Sequence, residues 1–399
     1  MTESFLPHMN GVTGSVLQIL RHLERTGHEA HVIAPDDAGI PTSMHGAAVE
    51  AIPSLALPGY RNVRVGTSPA HRVAASLRRF QPDVVHLASP FALGWRGVLA
   101  ADRLGVASVA AYQTDVAAYT ERYRIAATTG IAQTHIARLH RRATLTLAPS
   151  TESAQQLASL GVDRVRRWGR GVDAERFQPL RRDDDLRAAW GADVVIGYVG
   201  RLAPEKQVED LAALHGIPGT RVVIVGDGPS RQRLESLLPD AVFLGHLDGE
   251  ALAAAMASFD LFVHPGESET FGQTLQEAHA SGVPVIATGR GGPLDLVRMG
   301  IDGWLYRPGD LDDLRMRVHD LAGDARKRRA FGEAGREAVQ GRSWTKVCEQ
   351  LLEHFEEARA LTTVDRSLRA RRVVRPEPSV PVPEAGWRRY VALGDSLTE

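Results

Sequence analysis

Residues 260–288 read DLFVHPGESETFGQTLQEAHASGVPVIAT, and this stretch decides the fold. The runs DLFVHP (260–265) and VPVIAT (283–288) are apolar, rich in β-branched residues and about the length of a buried strand. Between them lies a segment of helical length and pattern that begins at about Phe271. Strand, helix and strand in this order predict a βαβ unit whose two strands run parallel.

The same alternation continues in both directions along the chain. Helical stretches at 15–26 and 68–80 separate apolar runs in the first half, and the second half repeats the pattern. We predict further buried parallel strands at 30–34, 83–89, 106–112, 144–150, 194–200, 221–226 and 241–245. The fold class is therefore α/β, with two Rossmann-like, doubly wound parallel-sheet domains that face a cleft. Ligands of such sheets bind at the carboxyl ends of the strands.

Polar sequence without strands marks the joins between domains. Residues 170–185 separate the two series of strands, which predicts an N-terminal Rossmann-like domain at 1–170 and a C-terminal Rossmann-like domain at 171–345. A helix over 346–363 follows, long enough to cross back to the N-terminal domain. Residues 364–399 are rich in Arg and Pro and predict an extended tail.

The composition excludes several classes of protein. The chain is 43% hydrophobic and 24% charged, as is typical of a globular protein. Cys348 is the single cysteine, so no internal disulfide can form. No apolar run reaches the roughly 18–20 residues of a membrane-spanning helix, and no signal peptide opens the chain. We expect a cytoplasmic protein, either free or peripheral on the inner face of the plasma membrane.

Charge is distributed unevenly along the chain, although the net charge is only −1. Residues 1–180 hold 19 Lys and Arg against 14 Asp and Glu, whereas residues 181–363 hold 21 against 29. The predicted helix at 68–80 adds a group of arginines, Arg72, Arg78 and Arg79. A basic first half suits an anionic membrane or an acidic substrate. A solvated helix face and ordinary charge scatter explain the same pattern, so both interpretations stay open.

Two acidic residues follow the predicted strand at 260–265. Glu269 comes just before the predicted helix, at the carboxyl end of the sheet, and Glu277 lies two turns along that helix. Carboxylates at this spacing suit the hydroxyls of a sugar and a ribose on one ligand, and the helix N-terminus favours a phosphate. Alternatively, Glu269 caps the helix and Glu277 is a solvated helix residue.

Two cations follow the first strand of the second half. Arg201 and Lys206 lie in the loop after the strand at 194–200, again at the carboxyl edge of the predicted sheet. Cations at this edge suit the two charged groups of a diphosphate. The alternative is a loop of surface ion pairs.

Together these residues resemble a known family. The motif GRLAPEK (200–206), the pair Glu269 and Glu277 and the run GVPVIAT (282–288) resemble the retaining family 4 glycosyltransferases, which have the GT-B fold. The order and spacing of the motifs both match that family.

The N-terminal half carries a narrower resemblance. The segments TESFLPHMNGVTGSV (2–16) and YQTDVAAY (112–119) are similar to actinobacterial GDP-mannose-dependent α-mannosyltransferases that act on glycolipids. The resemblance extends over residues 1–360. It implies that the domain at 1–170 is the acceptor-side domain and that the domain at 171–345 binds the nucleotide-sugar donor.

The resemblance implies transfer of a sugar, most specifically mannose from GDP-mannose, to a glycolipid or phospholipid-linked acceptor by front-face attack with retention. Arg201 and Lys206 would neutralise the leaving diphosphate, so neither a metal ion nor another cofactor is expected. Glu269 would contact the donor sugar, and Glu277 would bind the ribose. The other donor-binding positions that the resemblance implies are Gly11, Leu247, Thr270, Phe271 and Gly272.

Three residues are predicted to lie on the acceptor side of the site, Tyr60, Gln113 and Asp115. Many family members carry a histidine in the loop after the strand that corresponds to 106–112, but here the loop reads Gln-Thr-Asp. A histidine role therefore cannot be transferred, and Asp115 is predicted to orient the acceptor hydroxyl or the donor sugar as a catalytic group. The expected partners are a nucleotide-sugar donor, a lipid-linked or small-molecule acceptor and an anionic membrane, with no nucleic acid.

Both ends of the chain depart from the family pattern. The family places a complete hydrophobic strand before TESFLP, and Met1 and Thr2 leave only part of it, so either the first strand is short or translation begins upstream. At the other end, GDSL (394–397) resembles the first block of the GDSL (SGNH) hydrolases. A truncated transferase–esterase fusion or a misread gene boundary would produce this segment.

The sequence also bears on three other functions. Hydrolysis at Ser396 would need oxyanion-hole and base residues farther along the chain, and only three residues follow, so we predict an inert serine. A UDP-sugar-dependent transferase with a small-molecule acceptor stays open. A non-catalytic scaffold that binds a nucleotide sugar also stays open.

Overall fold

Helices and strands alternate through a computed structural model that describes residues 1–57, 60–89, 91–113 and 126–373. The strands are β1 His31–Pro35, β2 Ser43–Met44, β3 Ala47–Ile52, β4 Ser54–Leu57, β5 Tyr60–Gly66, β6 Val84–Leu87, β7 Ala107–Ala111, β8 Leu145–Ala148, β9 Val165–Arg167, β10 Val194–Val199, β11 Thr220–Val225, β12 Val242–Gly245, β13 Leu261–His264, β14 Val285–Thr288 and β15 Gly303–Tyr306.

The helices of the described residues flank these strands. They are α1 Gly11–Arg25, α2 Ala70–Phe80, α3 Ala92–Leu104, α4 Ala126–Arg142, α5 Thr151–Ser159, α6 Asp184–Trp190, α7 Arg231–Leu237, α8 Gly249–Ala257, α9 Gln273–Ala280, α10 Pro293–Leu296, α11 Leu311–Ala322, α12 Ala325–Val339 and α13 Trp344–Val373. None of these helices is both long and apolar enough to cross a membrane.

The second half contains a six-stranded, fully parallel sheet in the order β12-β11-β10-β13-β14-β15. Each residue of β10 is buried, which fits a central strand covered on both faces. The chain leaves β10 toward one edge and later returns to β13 on its other side, so the switch point of the sheet lies between these strands. Their carboxyl ends therefore border a crevice.

The first half builds its sheet in two parts. Strand β1 pairs with β3, and β6, β7, β8 and β9 form a parallel set. Met1 and Thr2 lie between the parts, because the Thr2 N–H donates to the Ile33 carbonyl at 3.1 Å and the Ala88 N–H donates to the Met1 carbonyl at 2.9 Å. The predicted partial first strand is therefore these two residues, in the central position of a doubly wound sheet.

A cavity of about 880 Å³, lined by both apolar and charged side chains, borders this short central segment. Its walls come from β1, β6, α1, α2 and α13, and they include Val16, Leu20, Val32, Val85 and Phe355. The cavity therefore lies between the two parts of the first sheet and the helices that flank them.

Helix α13 returns from the second half to pack on the first. Leu351, Phe355 and Ala358 share one buried cluster with Val109 and Leu147 of the first sheet. The compact unit Met1–Thr362 therefore contains both sheets. The predicted domain limits at 170, 345 and 363 stay predictions, and the GDSL segment lies outside the described residues.

One local prediction needs correction, and one pair of strands was not predicted. The predicted helix start at Phe271 is wrong, because Gly272 adopts a left-handed φ of 100° and α9 begins at Gln273. Glu277 consequently lies one turn along the helix rather than two. Strands β4 and β5 pair antiparallel, and neither is among the strands predicted from the sequence.

A pair of glycines tests the packing of the central strand. A Cβ on Gly197 in β10 would overlap the Phe259 ring, so Gly197→Ala should lower the free energy of unfolding by about 1–3 kcal/mol through overpacking. A Cβ on Gly14 in α1 meets nothing within 4 Å. Gly14→Ala should leave stability unchanged or raise it by up to about 1 kcal/mol, since alanine favours helix. Urea titrations measure both, and equal losses would contradict the packing.

Candidate active site

Glu269 is held as an ion in the loop that follows β13. Its Oε2 lies 2.6 Å from Lys206 Nζ and 3.5 Å from His264 Nε2. Its Oε1 accepts from the Gly272 N–H at 3.2 Å, just before α9. Burial by itself would raise the pKa of Glu269, but Lys206 and His264 hold that pKa well below its usual range. The carboxylate is therefore both a helix-end acceptor and the charged partner of Lys206.

Arg201 and Lys206 both follow β10, as predicted. Lys206 ends the 3₁₀ turn Pro204–Lys206, and its ammonium reaches across to the loop after β13. Arg201 Nη1 lies 3.7 Å from Glu205 Oε1, and its side chain is about half exposed. The carboxyl ends of β10 and β13 thus bring Arg201, Lys206 and Glu269 to the switch point of the sheet.

Glu277 is not a fully solvated helix residue. Burial raises the pKa of Glu277 to about 7, against the opposing effects of the Gln273 amide, Arg176 and Arg170. Gln273 Nε2 lies 3.4 Å from Glu277 Oε1. The carboxyl therefore changes its protonation state near neutral pH.

The loop after β13 contacts the first half directly. The Thr270 hydroxyl donates to the Gln113 carbonyl at 3.1 Å, just beyond the end of β7. Phe271 is buried beside Gly169, where its ring would lie 3.1 Å from an added Cβ. The carboxyl ends of the two sheets therefore meet around the predicted donor residues.

Gly11 joins the same cluster from the opposite side. It is the first residue of α1, and the side chain of Asn10 accepts hydrogen bonds from the Val12 and Thr13 N–H groups. A Cβ on Gly11 would lie 2.5 Å from Arg170 Nη1, and Arg170 Nη2 donates to Gln113 Oε1 at 2.9 Å. One arginine therefore links Gly11 to Gln113.

The structure gives fewer contacts for three other residues predicted to belong to the site. Leu247 follows β12 at the carboxyl end of the second sheet, partly buried against the core. Tyr60 begins β5, and its side chain is not among those described. Asp115 lies outside the described residues. The roles predicted for these three residues stay predictions.

A second line of contacts joins the two halves beside the cleft. Asp295 of α10 accepts from the Thr151 N–H at 2.6 Å and from the Thr151 hydroxyl at 2.7 Å, at the start of α5. The Gly291 N–H donates to Glu152 Oε2 at 2.6 Å. These contacts hold the first turn of α5 against the loop that follows β14.

Arg170 is the polar residue that the sequence analysis missed. It lies in the polar join between the series, which looked like a simple connection. The sequence did contain a signal for Arg170. A segment that connects two facing sheets must run along the cleft between them, so a polar side chain in that segment can reach a ligand in the cleft. No side-chain pattern pointed to Glu3, whose carboxylate accepts from the Leu93 N–H near the start of α3.

Family models match both halves of the chain. "Glycosyltransferase Family 4" matches residues 9–176, and "Glycosyl transferases group 1" matches residues 184–338. A GDP-mannose-dependent alpha-mannosyltransferase from Mycolicibacterium smegmatis is 49% identical over 367 residues, which cover 89% of this chain and 96% of the relative. The chain is a family 4 glycosyltransferase.

Other relatives of this glycosyltransferase carry the same description. The GDP-mannose-dependent alpha-mannosyltransferase of Mycobacterium tuberculosis is 47% identical, with 91% of this chain and 97% of the relative covered. That of Corynebacterium glutamicum is 42% identical, with 91% and 89% covered. The family resemblance seen in the sequence is confirmed.

Solved structures confirm the GT-B fold. Anabaena HepE in complex with UDP-glucose superimposes with a TM-score of 0.72 at 20% identity, covering 90% of the glycosyltransferase and all of that chain. Sucrose-phosphate synthase from Thermosynechococcus elongatus also gives a TM-score of 0.72, at 21% identity, covering 88% and 94%. Identities this low establish the fold alone.

Neither family match reaches the GDSL segment, so its likeness to a hydrolase stays a prediction. Within the part of the glycosyltransferase that the structure describes, no group of three or more His, Cys, Asp or Glu is arranged to hold a metal ion.

Glu277 predicts a pH dependence of stability. Its carboxyl binds a proton more tightly in the folded protein, with a pKa of about 7 against an ordinary 4.5. The stabilisation from that proton is complete below about pH 4.5 and is lost as the pH rises through 7. Between pH 5 and 8, the wild type should lose about 1–3 kcal/mol of unfolding free energy that Glu277→Gln keeps.

Denaturant titrations at several pH values measure this difference. Glu333→Gln, at an exposed position of α12, serves as the control and should follow the wild type. Identical pH profiles for Glu277→Gln and the wild type would contradict the raised pKa.

Proposed function

We propose that the enzyme transfers mannose from GDP-mannose, with retention of configuration and without a metal ion, to a glycolipid or phospholipid-linked acceptor. The observation that carries the proposal is the ionised Glu269 beside Lys206, at the point where the carboxyl ends of both sheets meet. The names of relatives that share 42–49% identity over most of the chain support GDP-mannose as the donor.

Lys206 is suited to the leaving diphosphate. Its ammonium has three N–H donors, and the Glu269 bond uses one of them at 2.6 Å. No other described residue accepts a hydrogen bond from this ammonium, so its remaining donors can bind a phosphate oxygen as negative charge develops on the leaving group. Arg201, half exposed at the same edge, supplies a second cation. Two cations of this kind do the work that a divalent metal does in other transferases.

The proposed transfer step needs no nucleophile from the protein. The bond between the sugar anomeric carbon and the diphosphate oxygen breaks, and the acceptor oxygen bonds to the same face of that carbon. The acceptor proton passes to the leaving phosphate oxygen. Glu269, being ionised, accepts hydrogen bonds from the sugar hydroxyls and orients the anomeric carbon. Asp115 is proposed to orient the acceptor hydroxyl.

The remaining donor contacts follow the predicted roles. Glu277 accepts hydrogen bonds from the ribose hydroxyls, a task that its ionised form performs better than its protonated form. The backbone of Thr270, Phe271 and Gly272 lies beside the sugar and phosphate, and main-chain groups near Leu247 bind the base. Thr270 also ties this loop to the first half through the Gln113 carbonyl.

A membrane-linked acceptor suits the surface of the first half. Arg72, Arg78 and Arg79 are exposed on α2, although Arg79 also pairs with Glu50 at 3.1 Å. Large apolar side chains are exposed on the same half, at Met9, Leu55 and Phe91. Cations with apolar side chains favour an anionic bilayer at the cytoplasmic face of the plasma membrane. Equal sedimentation with neutral and anionic vesicles would contradict this contact.

Labelled GDP-mannose tests the proposed reaction directly. Purified enzyme with membrane lipid extract should produce a labelled lipid with an α-linked mannose. Lys206→Ala and Glu269→Gln should each lower kcat/KM by at least 100-fold, since each removes charge stabilisation at the reacting groups. Lys327→Ala is the matched control, because Lys327 pairs with Asp320 outside the site.

The outcomes separate the alternatives. Unchanged kcat/KM in both variants would refute the site assignment. Transfer from UDP-glucose but not from GDP-mannose would establish the UDP-sugar alternative. Donor binding by calorimetry without transfer to any lipid or soluble acceptor would indicate a non-catalytic scaffold.

A further inference from the structure

Arg170 occupies the place where the chain crosses from the first half to the second. Its carbonyl accepts from Gln276 Nε2 of α9 at 2.9 Å, which anchors the backbone to the second half. Its guanidinium points to the first half, where Nη2 donates to Gln113 Oε1 at 2.9 Å. The side chain therefore spans the floor of the cleft.

The guanidinium packs on the first turn of α1. A Cβ on Gly11 would lie 2.5 Å from Nη1 and 3.5 Å from Cζ of Arg170, so only glycine leaves room for this contact. That turn contains no acidic residue, and it carries the positive end of the helix dipole, although the Asn10 side chain caps its Val12 and Thr13 N–H groups. A cation against a helix N-terminus is unfavourable unless an anion binds both.

The other cations of the cleft already have carboxylate partners. Lys206 bonds to Glu269 at 2.6 Å, and Arg201 lies 3.7 Å from Glu205. Among the described residues, Arg170 donates to a neutral amide instead. Burial lowers the pKa of Arg170, while the more distant charges of Glu269 and Glu277 oppose that effect. Within the described part of the chain, Arg170 forms no direct ion pair, so an anion that enters the cleft can form one with it.

We propose that Arg170 binds the diphosphate of the nucleotide sugar, together with the N-terminus of α1, and that Gln113 orients its guanidinium. This inference rests on the proposed function, since it concerns the same donor. It also explains why residue 11 is a glycine, because a side chain there would displace the guanidinium of Arg170. Arg170 thus adds a third cation to Arg201 and Lys206, supplied from the crossing between the two halves.

Inorganic pyrophosphate tests Arg170 without requiring the correct base or sugar. Calorimetry on the full chain should show pyrophosphate binding that Arg170→Gln weakens at least tenfold, the loss typical of one charge-assisted hydrogen bond. Arg170→Lys should lose less. Arg181→Gln, which removes a surface partner of Glu250, should stay within about threefold of the wild type.

Two further measurements exclude a merely structural role. Guanosine lacks phosphate, so its affinity should not change in Arg170→Gln, whereas a collapsed cleft would weaken guanosine and pyrophosphate alike. Gly11→Ala should weaken pyrophosphate binding too, and the double variant should lose little more than either single variant, because both act on one contact.

Unchanged pyrophosphate affinity in Arg170→Gln, or no pyrophosphate binding by the wild type, would overturn the inference. So would an equal loss of guanosine affinity. Pyrophosphate binding through Arg170 in a protein that binds no GDP-mannose would instead refute the proposed donor and leave the role of Arg170 intact.

Discussion

The chain crosses between the two halves twice, at residues 168–172 and again at residues 342–347. The contact between these two crossings fixes the relative position of the sheets. Gly171, where the chain passes to the second half, lies so close to Trp344 that an added Cβ would be 2.5 Å from the Trp344 Cα. The Val172 N–H donates to the Arg342 carbonyl at 2.9 Å, and Trp168 Nε1 donates to the Val347 carbonyl at 3.0 Å. Because both crossings pack together, the carboxyl ends of the two sheets face one another, and the cleft depends on that geometry.

This geometry gives two similar carboxyl groups different chemistry. Glu269 lies beside Lys206 and accepts a backbone N–H, so its pKa is well below the usual range. Glu277, only eight positions farther along the chain, has a pKa raised to about 7 because burial dominates there. The first is ionised at neutral pH beside the proposed sugar, and the second can gain or lose a proton near neutral pH. Environment rather than residue type separates their proposed roles.

The elements that could be predicted from sequence are those with local causes. The buried strands at β10, β11, β13 and β14 followed from apolar runs, and Lys206 and Glu269 were predicted at strand ends because parallel strands share that edge.

Other features depend on contacts that a local pattern does not contain. The left-handed Gly272 shifted the helix start, and the positions of Met1 and Thr2 depend on hydrogen bonds to Ala88 and Ile33, far along the chain. Arg170 acts through Gly11 and Gln113, which only the fold brings together.

A crystal structure of the enzyme with GDP-mannose tests the central claim, that one cleft built by the two crossings binds the donor. The account predicts the diphosphate within hydrogen-bonding distance of Lys206 and Arg170, the sugar on Glu269 and the ribose on Glu277. A donor bound elsewhere, or a diphosphate held by neither cation, would contradict the account.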